Sequence, residues 1–218
     1  MKQKIVLMAI VGCLTLQSQT IKAQITSKKI TTDKLPSSLK YKGEIVEGVE
    51  WKDKKGDNIL ILTATGEFGH NGKTDEIYRD SELYAYHFTK TDKEWKVVWQ
   101  LTDFIRECDL DITLDFKKNT LSITDLNKNN IAESWLMYEL SCKGDVSPDD
   151  LKLIMHEGEK KYAIRGSETM YFKEYESTEK TIVKGEKNID SNFKNEPAVF
   201  LEFANTLWDK NSVVDTTE

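Results

Sequence analysis

The chain is poor in the residues that build metal clusters, hinges and linkers: three histidines, three cysteines, three prolines and eleven glycines among 218 residues. His70, His87 and His156 are scattered without the spacing that zinc ligands require. No serine lies in a nucleophile-elbow sequence, and no glycine-rich loop precedes a helix in phosphate-binding form. No Pro/Gly/Ser-rich stretch marks a linker, so the chain reads as one domain. After the first sixteen residues, no apolar run is long enough to cross a bilayer. Positive charge is also short, with 31 basic against 37 acidic side chains. That balance excludes nucleic acid and an anionic membrane surface as expected partners.

What is present begins at the N-terminus. Lys2 and Lys4 precede an apolar run from Ile5 to Leu16, then polar residues and Ala23 before Gln24, the pattern of a secretory signal over 1–23. A lipid anchor at Cys13 competes with this reading, but the apolar run continues past Cys13 through Leu14 and Leu16. Either way, export to the periplasm, cell surface or extracellular space is expected. Cleavage would take Lys2, Lys4 and Lys22 from the 31 basic groups, leaving 28 against 37 acids and a net charge near −9. Cys108 and Cys142 then remain, and two cysteines in an exported chain favour a disulfide, with two separate buried thiols as the alternative.

Residues 24–42 are polar and read as a flexible N-terminal arm. The stretch 43–210 reads as a single β-rich domain, and 211–218 as a disordered tail. Alternation over 43–51 and a near-continuous apolar run over 58–64 predict strands, and glycine-punctuated 66–73 predicts a turn or mobile loop. Three hairpins follow: 83–89 with 95–104, 120–124 with 131–140, and 151–156 with 161–164. Strands recurring without intervening helices predict a mainly β fold of antiparallel sheets, as a sandwich or as propeller-like hairpins. The C-terminal exception is Phe200, Phe203, Ala204, Leu207 and Trp208 at three- and four-residue spacing, which predicts one α-helix. Pro197 suits its first turn and Asn195 its cap.

The segment 123–133 carries a chemical logic beyond packing. Asp125, Asn127, Asn129 and Glu133 place side-chain oxygens at alternating positions, and Ile131 adds a backbone carbonyl. A hard cation such as calcium takes oxygen ligands in this order around a tight loop. The loop resembles the calcium loops of integrin-like FG-GAP repeats, with Asn130 where a glycine is usual and only two charged ligands. A structural calcium site and a metal-free Asx-rich turn are both compatible with it. Asp109 and Asp111 beside Cys108, and Asp145, Asp149 and Asp150 beyond Cys142, would form an acidic ligand rim if the cysteines pair. Trp51, Trp95, Trp99 and Trp135 can stack on sugars where exposed, although aromatic residues in strands more often build cores.

The run from Ile123 to Glu133, then Trp135-Leu136-Met137-Tyr138, Cys142, Asp145-Val146-Ser147-Pro148, Leu151 to Gly158 and Lys161 to Gly166, resembles a family of exported proteins of Bacteroidetes-type bacteria known as surface polysaccharide biosynthesis proteins. The similarity spans about Trp51 to Trp208. It implies an envelope role connected with surface polysaccharide and carries over no catalytic motif. The expected function is therefore a non-catalytic accessory or binding protein of the cell envelope, with calcium as a candidate stabiliser. The alternatives are a carbohydrate-active enzyme using paired carboxylates of the acidic loops, and a structural secreted domain presenting a protein interface.

Overall fold

The structure, a computed structural model, describes residues 25–71, 77–174 and 178–217. The expected signal sequence over 1–23, with Cys13, lies outside these residues. The fold is mainly β, in antiparallel sheets, with a single α-helix among the described residues, near the C-terminus. Five strands form the first sheet in the order β1 (Ser27–Lys29), β2 (Glu44–Asp53), β3 (Gly56–Asn71), β4 (Ile77–Thr91) and β5 (Glu94–Cys108). The second sheet holds β6 (Asp111–Phe116), β7 (Ser122–Thr124), β8 (Glu133–Lys143), β9 (Asp150–Glu157), β10 (Lys160–Ser167) and β13 (Lys187–Ile189), in the order β13-β10-β9-β8-β6 with β7 also on β8. A small third sheet joins β11 (Thr169–Lys173), β12 (Lys180–Val183) and β14 (Val213–Asp215). Helix α1 spans Ala198–Asn211.

Apolar residues fall into three layers. Leu60, Leu62, Leu83, Leu101, Leu136, Tyr138 and Ile154 fill the space between the two large sheets. Trp135, Met137, Leu153, Met155 and Tyr162 point from the opposite face of the second sheet and meet Phe200, Ala204 and Trp208 of α1. This double burial explains the unbroken apolar runs in β8 and β9, since a strand covered on both faces needs no polar alternation. The outer face of the first sheet, with Ile59, Ile61, Tyr84, Tyr86 and Phe88, is covered by Ile30, Leu35 and Leu39.

Those last three residues correct the expectation of a flexible arm over 24–42. Within this polar stretch they supply enough apolar surface to cap the sheet, and β1 pairs with β2 in register from Ser27↔Trp51 to Lys29↔Val49. The expected disordered tail also differs, because β14 adds in parallel to β11 from Thr169↔Val213 to Tyr171↔Asp215. The glycine-rich 66–73 stretch is largely strand. Gly66, at φ +66°, sits in an irregularity between Ala64 and Glu67 that lets β3 continue to Asn71, while Gly72 and Lys73 lie outside the described residues. Helix α1 starts two residues later than an Asn195 cap would set it, with Pro197 as its N-cap and no side-chain hydrogen bond from that cap. Asn195 instead ends a 3-10 turn over Ser191–Asn195.

The expected hairpins are all formed. The β4–β5 turn tightens to Asp92 and Lys93, both at positive φ (52° and 71°), the backbone hand that a two-residue hairpin needs. The turn from β9 to β10 begins with Gly158 at φ +57°.

Candidate functional site

Asp53 organises one end of the sandwich. It closes the β2–β3 hairpin, whose turn is Lys54 and Lys55, and all four of its hydrogen bonds hold neighbours in place. Its Oδ1 accepts from the Lys55 N–H at 2.7 Å and Asn58 Nδ2 at 3.1 Å, and its Oδ2 from Trp51 Nε1 at 3.2 Å and the Ala132 N–H at 3.1 Å. The Lys54 N–H also donates to the Asn130 carbonyl at 2.8 Å. The hairpin tip is thereby pinned to the loop 125–133 of the other sheet.

Between this tip, β5 and the β9–β10 turn opens a cleft of about 600 Å³. Asn58 and His87 line it together with Lys96, Val97, Glu157 and Lys160. Asn58 is buried and donates to both Asp53 and the Gly56 carbonyl, which directs its Oδ1 at His87 Nε2, 3.0 Å away. With the amide so fixed, His87 donates from Nε2 and its Nδ1 is left as a lone-pair acceptor. That Nδ1 is buried without a hydrogen-bond partner among the described residues. The ring stacks on Trp51 at 4.9 Å and meets Trp99 edge-on at 5.8 Å, and Trp99 stacks on His156 at 4.0 Å. Burial pulls the pKa of His87 down to about 4, against an opposing pull from Asp53. Burial also lowers that of His156 to about 3, with Lys161 and His87 adding to the effect. Both imidazoles are neutral near pH 7.

The loop 125–133 lies beside the cleft and is closed by its own polar groups. The Asp125 carboxylate accepts from the Asn130 N–H at 3.2 Å, Asn127 Oδ1 from the Asn129 N–H at 3.0 Å, and Asn129 Oδ1 from the Ile131 N–H at 2.7 Å. The amide groups of Asn127 and Asn129 both donate to Glu157 Oε1, at 2.6 and 2.7 Å. Asn130 takes the left-handed backbone expected where a glycine is usual, at φ +64°, and Lys128 does so at +59°. Glu133 is fully buried: its Oε2 accepts from Thr124 Oγ1 at 2.7 Å and the Leu126 N–H at 2.9 Å, while Oε1 has no hydrogen-bond partner among the described residues. Burial pushes its pKa up, and the nearby Asp125 charge adds to the rise.

This arrangement partly fits calcium. The bare Glu133 Oε1 near a second carboxylate is what a cation would relieve, and amide oxygens retain a lone pair after accepting one N–H. Against it, no group of three or more His, Cys, Asp or Glu side chains suited to a metal occurs among the described residues.

Cys108 and Cys142 form a disulfide, with Cα atoms 5.9 Å apart, tying the end of β5 in one sheet to β8 in the other. It brings the two acidic segments to one rim, but their carboxylates are dispersed. Asp109 and Asp150 are exposed, Asp111 pairs with Arg79, Asp145 accepts from Ser147 Oγ at 2.8 Å, and Asp149 pairs with Lys143 at 2.6 Å. Sequence reasoning did not find Asp53, Asn58 or Glu157. Asp53 lies in an ordinary Asp-Lys-Lys-Gly turn, and its reach across to Ala132 has no local signal.

Fold and site together define a mainly antiparallel β protein with a polar cleft at one end and a disulfide tying its two large sheets. No family model matches the chain, and neither a curated protein nor a solved structure matches it.

Proposed function

We propose that the chain is an exported accessory or binding protein of the cell envelope, connected with surface polysaccharide and without catalysis of its own. The observation that carries this reading is the end cleft. It mixes apolar Val97 and Val98, neutral polar Asn58, His87 and Thr89, and charges of both signs, a lining suited to a hydroxyl-rich ligand. Its best-held carboxylate, Asp53, already accepts four hydrogen bonds. The carboxyls with raised pKa, Glu133 and Glu139, serve the buried loop and an ion pair with Lys117 at 2.6 Å, not the cleft. A disulfide suits an oxidising compartment, in the periplasm, at the cell surface or outside the cell. Deleting the gene in its host is expected to alter the amount or chain length of extracted surface polysaccharide, with restoration by the wild-type gene. An unchanged profile would sink the reading.

Calcium belongs to the same proposal as a stabiliser. Asp125, Asn127, Asn129, the Ile131 carbonyl and Glu133 hold it, and two carboxylates give a weak, millimolar-range site. The protein is then expected to melt higher with millimolar calcium than with chelator, and Asp125→Ala to abolish the difference. Glu133→Gln separates the cases further. If calcium binds, this variant loses the calcium-dependent gain. If the loop is a metal-free turn, the two melting curves coincide for the wild type as well.

A further inference from the structure

Glu157, the last residue of β9, joins the loop 125–133 to the cleft. In the strand register it stands directly opposite Glu133 of β8. Opposed residues on paired antiparallel strands share a face with Cβ atoms about 5 Å apart, and like charges so placed repel. Asp125 adds a third acid, since it follows Thr124, the residue opposite Glu133 on β7. The lysine across the β9–β10 hairpin does not balance them: Lys160, opposite Glu157, pairs with Glu196 at 3.1 Å. Glu133 is 0 % exposed, and its Oε1 has no hydrogen-bond partner among the described residues. A buried, unpartnered carboxylate oxygen at the closing position of an oxygen-rich loop points to a cation.

The three acids do not form a metal-holding group by themselves. Glu157 acts on the loop in another way, through the amides of Asn127 and Asn129, whose Nδ2 atoms donate to its Oε1 at 2.6 and 2.7 Å. An ionised carboxylate only accepts, so each amide is held with its nitrogen toward Glu157 and its oxygen toward the loop. Partners of this kind orient the ligands of a metal site from behind. Along 129–133 the candidate ligands also alternate with the atoms that build the cleft. Between Asn129, Ile131 and Glu133, the Asn130 carbonyl accepts from the Lys54 N–H at 2.8 Å, and the Ala132 N–H donates to Asp53 Oδ2 at 3.1 Å. Ile131, Ala132 and Glu157 line the cleft itself. A cation that fixes the first set of residues therefore fixes the second.

We propose that calcium controls the cleft: Glu157 positions the Asn127 and Asn129 amides for the cation, and the filled loop holds the cleft wall in its ligand-binding form. The inference rests on the calcium and polysaccharide readings above and adds the regulation of one site by the other. Calcium and polysaccharide then bind cooperatively, each raising the affinity for the other by the same factor.

The test has two arms, both on the full chain. Calorimetry with calcium alone compares the wild type with Glu157→Gln, which keeps the length of the side chain and removes its charge. The variant is expected to bind calcium about tenfold more weakly while melting in chelator as the wild type does. A variant that melts lower in chelator yet binds calcium like the wild type would make Glu157 a structural residue and overturn its positioning role. Affinity electrophoresis in polysaccharide extracted from the host's surface then compares calcium with chelator. The wild type is expected to bind about tenfold more tightly in calcium. Asp125→Ala, a change outside the cleft lining, is expected to bind in calcium as the wild type does in chelator. Equal binding in calcium and chelator, with calcium bound in the first arm, would overturn this inference and leave both readings beneath it standing. A calcium gain that persists in Asp125→Ala would put the cation on the polysaccharide itself and overturn the inference too. No calcium binding would overturn it together with the stabiliser reading, and no polysaccharide binding in either buffer would overturn it and count against the polysaccharide reading.

Discussion

His87 and His156 flank Trp99 in the space between the sheets, and a proton on either ring would have to sit among aromatic faces. In the unfolded chain both rings titrate near their ordinary value of 6.5, whereas folding lowers them to about 4 and about 3. The folded state thus binds fewer protons than the unfolded one below pH 6.5. Stability is complete above that value and is lost as pH falls from about 6.5 toward about 4 and 3. At the acid extreme the loss is roughly 3–5 kcal/mol for each ring. Against a typical net stability of about 5–15 kcal/mol, the two rings remove a large share of the stability as pH falls to 4. Melting temperature measured from pH 7 down to pH 4 should fall steeply below 6.5. His156→Phe, which keeps a ring on Trp99 and removes the titrating group, should flatten the lower part of that curve. Parallel curves for variant and wild type would refute this account of the histidines.

Glu133 shows a different limit of sequence reading. Its place at the end of the alternating oxygens of Asp125, Asn127 and Asn129 suggested a closing ligand, and the chain alone could not reveal that Thr124 Oγ1 and the Leu126 N–H would take one of its oxygens. Asp125, Asn127 and Asn129 were legible as a group because a loop's local hydrogen bonds depend on near neighbours. Asp53 was not, since its role depends on a partner 79 residues away.

Helix α1 was readable from its stripe, and the stripe accounts for its burial. Phe200 is fully covered, packing edge-on against Trp135 at 6.5 Å and against Tyr162 at 6.3 Å. Phe200→Ala leaves a cavity between helix and sheet that neither backbone can close, so a destabilisation of about 3–5 kcal/mol is expected in urea unfolding. Phe203 is only half-buried, and its truncation should cost less. Equal costs for the two would mean that the helix does not pack as described. The hairpins were equally legible, from polar turns between β-prone runs. The N-terminal and C-terminal pairings were not. Three-residue strands such as β1 and β14 have no periodicity to read, and they form because neighbouring backbone edges are open.

The sheets are joined through a shared apolar layer and through one covalent bond. Leu60, Leu62, Leu83 and Leu101 on one side meet Leu136, Tyr138 and Ile154 on the other, so each sheet loses the layer between them if the other unfolds. Loss of near-ultraviolet and far-ultraviolet dichroism in urea is therefore expected to coincide in one transition. The disulfide acts on the other side of that equilibrium. It closes a loop of 34 residues in the unfolded chain, a restriction that contributes about 3–4 kcal/mol in the chain-entropy picture. A Cys108→Ser/Cys142→Ser double variant should unfold at lower urea by that amount, still in a single transition, because the apolar layer that makes the sheets cooperative is untouched. Two separated transitions in the variant would instead mean that the bond, and not the shared core, couples the sheets. The cleft depends on this coupling, since it takes one wall from either sheet.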